Sequence, residues 1–131
     1  MQNFATMANQ IEKTRYTDEE LKEFEDLIDQ KLYKAREQLA FYLNQLEELA
    51  DNPDAKIKGL DDGIGTEESE RIITLAVRQR KLIQHLENAK IRIKNKVYGI
   101  CRVTGKLISK ERLKAVPHAT LSIEAKQNRR V

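Results

Sequence analysis

The chain contains no tryptophan and a single cysteine, Cys101, among 131 residues. A lone thiol excludes an intramolecular disulfide, so the fold is not stapled, and it suits a reducing cytosol. No apolar run comes near the ~18–20 residues that a membrane-spanning helix needs. The opening Met1-Gln2-Asn3-Phe4-Ala5-Thr6 lacks the basic start and apolar core of a secretory signal. These absences predict a soluble, cytoplasmic protein that does not enter a membrane. Internal repeats and low-complexity tracts are also missing.

Apolar residues are modest in number, 40% against 34% charged. That is too little apolar content, and too much charge, for a thick globular core. A long helical hairpin fits better, because each helix then needs only one apolar stripe. The net charge of +3 hides a division. Residues 1–89 hold 12 Lys/Arg against 19 Asp/Glu, a net −7, whereas residues 90–131 hold 12 against 2, a net +10. An acidic body with a basic end can orient a protein on a charged partner; the plainer reading is an unevenly charged, solvated surface.

Residues 1–16 are aperiodic and predict a flexible arm. Thr17 followed three residues on by Glu20 makes a capping box, and Asp18 and Glu19 suit the positive end of a helix dipole. A seam then runs Ile28, Leu32, Ala35, Leu39, Tyr42, Leu46, Leu49, with Leu21 and Phe24 extending it towards the N-terminus. Its steps alternate four and three, the spacing of a coiled coil. Asn52-Pro53 stops this helix. Residues 53–66, holding three of the five glycines, predict a loop. Thr66 is the expected cap of a second helix, whose seam runs Ile72, Leu75, Gln79, Leu82, Leu86, Ala89, Ile93. Two such helices joined by one loop pair antiparallel, and each spans ~45–50 Å at 1.5 Å per residue. The loop is then the tip of the hairpin. It is acidic: Asp51, Asp54, Asp61, Asp62, Glu67, Glu68 and Glu70 face only Lys56 and Lys58.

The second helix is expected to end near Tyr98-Gly99, where the grammar changes. Val103-Thr104-Gly105-Lys106 reads as a tight turn, Ser109 as the cap of a short helix over 110–115, and Pro117 as its stop. A last helix is expected from Thr120 to about Asn128.

The stretch Tyr98-Gly99-Ile100-Cys101-Arg102-Val103-Thr104-Gly105-Lys106-Leu107-Ile108, continued by Glu111-Arg112-Leu113 to Lys126, resembles the C-terminal finger of the DksA/TraR family. Arg80-Lys81-Leu82-Ile83 and the order of parts resemble it too. The resemblance covers about residues 18–128 and is most specific across 98–126. It implies a mainly α fold: an antiparallel coiled-coil hairpin over 17–97, tip at about 53–66, and a finger with a terminal helix over 98–131. Full fingers of the family carry two C-x-x-C pairs. Those positions here are Cys101, Thr104, Ser122 and Ala125. A structural zinc needs four S or N donors, so the resemblance implies a degenerate finger that binds no metal. Zinc can supply ~10 kcal/mol of folding free energy. Contacts among Ile100, Val103, Leu107, Ile108, Leu113, Val116, Leu121 and Ile123, with hydrogen bonds from Thr104 and Ser122, are the expected replacement.

The resemblance further implies a non-enzymatic regulator of bacterial transcription that binds RNA polymerase through its secondary channel, with the acidic tip near the catalytic magnesium. The family's best-known tip is Asp-x-x-Asp-x-Ala; its positions here are Lys58, Asp61 and Gly63, with Asp62 beside the one aspartate kept. Asp61 and Asp62 are thus the candidate tip residues, although Asp-Gly pairs are also ordinary turn formers. Arg78 falls where the family has a polymerase-facing basic residue. Some members bind guanosine tetraphosphate. Lys126 matches one basic residue of that site, but Val116 and His85 stand at the others, so nucleotide dependence is not expected. No cofactor is implied.

Lys90, Arg92, Lys94, Lys96 and Arg102, with Lys126, predict a basic surface. It suits the negative end of a helix dipole or a nucleic-acid backbone. Few aromatics interleave it, which disfavours single-strand binding, and no helix-turn-helix grammar supports sequence-specific DNA reading. His85 and His118 stand alone and predict surface or turn roles, and Cys101 a small buried apolar residue. The alternative function is a coiled-coil interaction or dimerisation module unrelated to RNA polymerase.

Overall fold

The computed structural model describes residues 14–51 and 64–129. Among these residues four helices follow in order: α1 Asp18–Asp51, α2 Ile64–Lys94, α3 Lys110–Ala115 and α4 Ile123–Arg129. The fold is mainly helical, an antiparallel hairpin of α1 and α2 followed by a small finger. Among the described residues the only extended pairing is one isolated antiparallel bridge, Ile100 with Leu107.

The start of α1 forms as its sequence dictates. The Glu20 N–H donates to Thr17 Oγ1 at 3.1 Å, and the Thr17 N–H donates to Glu20 Oε1 at 3.0 Å. The capping box thereby satisfies two amides that helical geometry leaves without partners. The flexible arm expected over 1–16 needs a correction at its end. Tyr16 is 5% exposed and packs in the core. Tyr16 precedes the cap and Leu21, also buried, follows it by four, which are the two positions of a hydrophobic staple.

Helix α2 begins at Ile64, so Thr66 lies inside it rather than capping it. The first turn has few intrahelical amides to lose, so Gly65 costs little there. The rest of the expected tip loop lies outside the described residues. The other end of α2 also departs from expectation, closing at Lys94 rather than near Tyr98. The Val97 N–H donates to the Arg92 carbonyl and the Lys96 N–H to the Ile93 carbonyl, both at 3.0 Å, and Lys96 has φ +64°. This is a Schellman turn with lysine in the left-handed position usually given to glycine. It reverses the chain and sends Tyr98 inward, where it is fully buried.

The chain divides into two compact units, Met1–Gln30 with Leu86–Val131, and Lys31–His85. In the second, Leu32, Ala35, Ile72 and Ala76 are buried, while Leu39, Tyr42, Leu46, Leu49, Leu75, Gln79 and Leu82 are half-buried. Two helices without a third layer leave the seam partly open, and Tyr33, Phe41, Ile73 and Val77 remain exposed.

The first unit holds the thicker core: Tyr16, Leu21, Phe24, Ile28, Leu86, Ala89, Ile93, Tyr98, Cys101, Ile108 and Leu113 are buried. Phe24 stands between two tyrosines, its ring centroid 5.3 Å from that of Tyr16 and 5.2 Å from that of Tyr98. At the surface two ion pairs join the legs of the hairpin, Lys90–Asp29 at 2.7 Å and Lys96–Asp18 at 2.6 Å. Lys110 on α3 pairs with Glu20 on α1 at 2.6 Å.

Candidate functional site

The finger starts from a narrow neck. The Ile108 N–H donates to the Gly99 carbonyl at 2.7 Å, and the Cys101 N–H to the Lys106 carbonyl at 2.8 Å. Between them the chain makes the expected tight turn. The Gly105 N–H donates to the Cys101 carbonyl at 2.8 Å, Gly105 has φ +73°, and Thr104 Oγ1 accepts the Lys106 N–H at 3.2 Å. Ser109 caps α3 as expected, accepting the Arg112 N–H at 3.3 Å. The last helix starts later than its expected Thr120. Ser122 is its cap, because Ser122 Oγ accepts the Ala125 N–H at 3.1 Å.

Four positions of the degenerate finger converge. The Ser122 N–H donates to Cys101 Sγ at 3.4 Å, and the Arg102 N–H donates to the Thr120 carbonyl at 3.0 Å, joining one turn to the other. Cys101 is fully buried and Ala125 is 4% exposed. Burial raises the Cys101 thiol. The polar groups around its sulfur, the Thr104 side chain and the backbone of Ser122, Thr104 and Val103, outweigh that and lower it to about 6. Backbone amides aimed at one sulfur stabilise a thiolate.

The donor set does not fit a structural zinc. It offers one sulfur, two hydroxyls already engaged by the Lys106 and Ala125 amides, and a methyl. Zinc sites of this kind take four S or N donors. Among the described residues no group of three or more His, Cys, Asp or Glu is placed to hold a metal ion.

The interior that surrounds these positions differs in part from the expected set. Ile108 and Leu113 are fully buried, each contributing about 1.5–3 kcal/mol. Ile100, Leu107, Val116 and Leu121 are half-buried. Val103 and Ile123 are 65% and 51% exposed, because the first lies on the outer bend of the turn and the second opens α4. Three side chains tie the finger down instead. Tyr98 Oη donates to the Pro117 carbonyl at 2.7 Å, Arg112 Nε to the Leu121 carbonyl at 2.8 Å, and a guanidinium nitrogen of Arg92 to the His118 carbonyl at 3.3 Å.

The basic surface is accordingly smaller than its sequence suggests. Arg92 is half-buried, and burial lowers its guanidinium from the usual value. Lys90 and Lys96 are engaged by Asp29 and Asp18. Lys94, Arg102 and Lys126 are exposed. Arg78 is exposed on α2, as is His85, while His118 and Val116 are half-buried in the finger. Asp61 and Asp62 lie outside the described residues.

Sequence reasoning missed Tyr16 and Gly99. Gly99 has φ +78°, and a Cβ there would stand 2.6 Å from Tyr16 Cε2. The staple spacing of Tyr16 and Leu21 was the available signal.

An antiparallel helical hairpin leading into a two-turn finger defines the structural class. A family model described as the prokaryotic dksA/traR C4-type zinc finger matches residues 96–129. The chain is 42% identical over 62 residues to the RNA polymerase-binding transcription factor DksA of Caulobacter vibrioides, covering 46% of this chain and 44% of that protein. General stress protein 16O of Bacillus subtilis is 29% identical over 100 residues, covering 72% and 61%. The structure of transcription factor DksA2 from Pseudomonas aeruginosa superposes with a TM-score of 0.76 at 27% identity, covering 84% of this chain and 82% of that one. Residues 96–129 match the dksA/traR finger family, and the likeness of hairpin and finger to these relatives supports membership of the DksA/TraR family. It spans less than two thirds of the length of the curated relatives it matches.

Among the described residues no helix is long and apolar enough to cross a membrane.

Proposed function

We propose that this protein is a non-enzymatic, cytoplasmic transcription regulator that binds RNA polymerase through its secondary channel and works without zinc or another cofactor. The observation that carries the reading is the hairpin-and-finger architecture it shares with transcription factor DksA2 over most of both chains. A relative named as an RNA polymerase-binding transcription factor supports the choice of partner. An antiparallel pair of helices suits entry into a channel. Asp61 and Asp62 then act at the tip, and exposed Arg78 contacts the polymerase. The finger serves as a docking base, with Lys94, Arg102 and Lys126 as its free basic surface. Neither guanosine tetraphosphate nor sequence-specific DNA is required.

Binding of the purified chain to its cognate core RNA polymerase tests this. The wild type is expected to bind at micromolar concentration or tighter. Asp61→Asn/Asp62→Asn is expected to bind equally and to lose its effect on initiation, while Arg78→Ala weakens binding. Absence of wild-type binding at micromolar concentration rejects the polymerase reading. Stoichiometric zinc in protein purified without chelators rejects the zinc-free one.

A further inference from the structure

The finger retains the layout of a metal-tied module while three of its four ligand positions carry Thr104, Ser122 and Ala125. Something else must hold the turn that bears Cys101 against the base of the hairpin. One side chain touches both legs of that turn's neck. The Tyr16 ring lies against Gly99 so closely that a Cβ would meet Tyr16 Cε2 at 2.6 Å and Cδ2 at 2.7 Å. Its hydroxyl donates to the carbonyl of Ile108, the residue paired with Gly99 across the neck. The ring is 5% exposed and meets Phe24 of α1 edge-on at 5.3 Å. Tyr16 is therefore bonded to the neck on one side and packed edge-on against the hairpin on the other.

We infer that Tyr16 is the latch of the finger: a positioning residue from the segment before α1 that fixes the neck at Gly99 and Ile108 in place of the metal the finger no longer holds. The second turn is held separately, by Ser122 on Cys101 and by Arg112 on the Leu121 carbonyl. The pairs Glu20–Lys110 and Asp18–Lys96 flank the latch and keep α1 in register with it. In a metal-tied finger the cross-link is internal. Here the finger's order depends on residues before Thr17, so displacing that segment loosens the finger while leaving the 31–85 unit folded. The inference rests on the zinc-free reading above.

Amide hydrogen exchange on the full chain tests it, read separately over 99–126 and 31–85. Tyr16→Ala is expected to speed exchange over 99–126 by about tenfold or more, with 31–85 changing less than about threefold. Tyr16→Phe keeps the ring, so it guards against simple misfolding; loss of the Ile108 bond alone is expected to speed finger exchange by about three- to tenfold. Both changes are then repeated in a Thr104→Cys/Ser122→Cys/Ala125→Cys background loaded with zinc. There the Tyr16→Ala effect on 99–126 is expected to fall below about threefold, because the metal restores the cross-link. Unchanged finger exchange in Tyr16→Ala overturns the latch, as does equal loss across both units. A full Tyr16→Ala effect in the zinc-loaded background, or failure of that background to take up zinc, overturns the claim that Tyr16 substitutes for a metal. Zinc content of the wild type, measured on the same sample, tests the underlying reading independently.

Discussion

Gly99→Ala is the most informative single perturbation of this fold, because two separable costs meet at one atom. The first is conformational. Gly99 has φ +78°, and an L-residue in that region costs about 1–2 kcal/mol. The second is steric. The new methyl would lie 2.6 and 2.7 Å from two carbons of the Tyr16 ring and 3.2 Å from Leu113 Cδ1. Both neighbours are buried, Tyr16 at 5% and Leu113 at 0% exposure, so neither has open space to move into. Overpacking of a filled interior costs about 1–3 kcal/mol. The expected total is about 2–5 kcal/mol, measurable by urea denaturation followed by circular dichroism. A cycle with Tyr16→Ala divides the two parts. Without the ring, the steric part disappears and Gly99→Ala should cost only about 1–2 kcal/mol. A cost below about 1 kcal/mol in the wild-type background, or strictly additive losses in the cycle, would refute the packing described between Tyr16 and the neck.

The remaining predictions concern single bonds. Hydrogen bonds from Lys110 and then Thr17 lower the Glu20 carboxyl from 4.5 to about 2. Its contribution is complete above pH 4.5 and is lost as pH falls from there towards 2, so Glu20→Gln should flatten the stability profile in that window, and an unchanged profile counts against the pairing. Lys96 sits at φ +64°, so Lys96→Gly should raise Tm by about 2–4 °C through relief of the left-handed backbone, despite loss of the exposed pair with Asp18; a fall in Tm would show that the pair outweighs the backbone. Tyr98→Phe removes the donor to the Pro117 carbonyl and should cost about 1–3 kcal/mol by leaving that acceptor buried, read as a lower urea midpoint at unchanged slope.

Much of the hairpin was legible because helices are local. The Thr17–Glu20 capping box, the four-and-three seam and the Ser109 cap depend on residues within a few positions of each other, and each formed as its spacing required. Ends defined by tertiary need were not legible. α2 closes at Lys94, four residues before Tyr98, because Tyr98 has to turn inward beside Phe24. The last helix starts at Ile123 rather than at Thr120, behind a Ser122 whose backbone N–H is held at Cys101 and whose hydroxyl accepts the Ala125 N–H. In the finger, the four positions were readable only through the resemblance to the DksA/TraR family, and their loss of ligand chemistry from the residues that stand there. The basic surface was overcounted, since nothing local shows that Arg92 reaches the His118 carbonyl or that Lys90 and Lys96 meet Asp29 and Asp18.

What the sequence alone determined is the mainly helical fold, the antiparallel pairing of two seamed helices, and a finger with one sulfur where four are needed. The helices and their pairing follow from periodicity and capping, which need no long-range information, and the finger follows from the resemblance to the DksA/TraR family. Only the tertiary structure decided that Tyr16, 92 residues from its partner Ile108, belongs to the finger. It also decided that Gly99 is glycine to admit that ring, and that Val103 and Ile123 stay outside the core. The reason is physical: close packing is a property of surfaces brought together by folding, and a residue's neighbours across such a contact leave no fixed spacing in the chain.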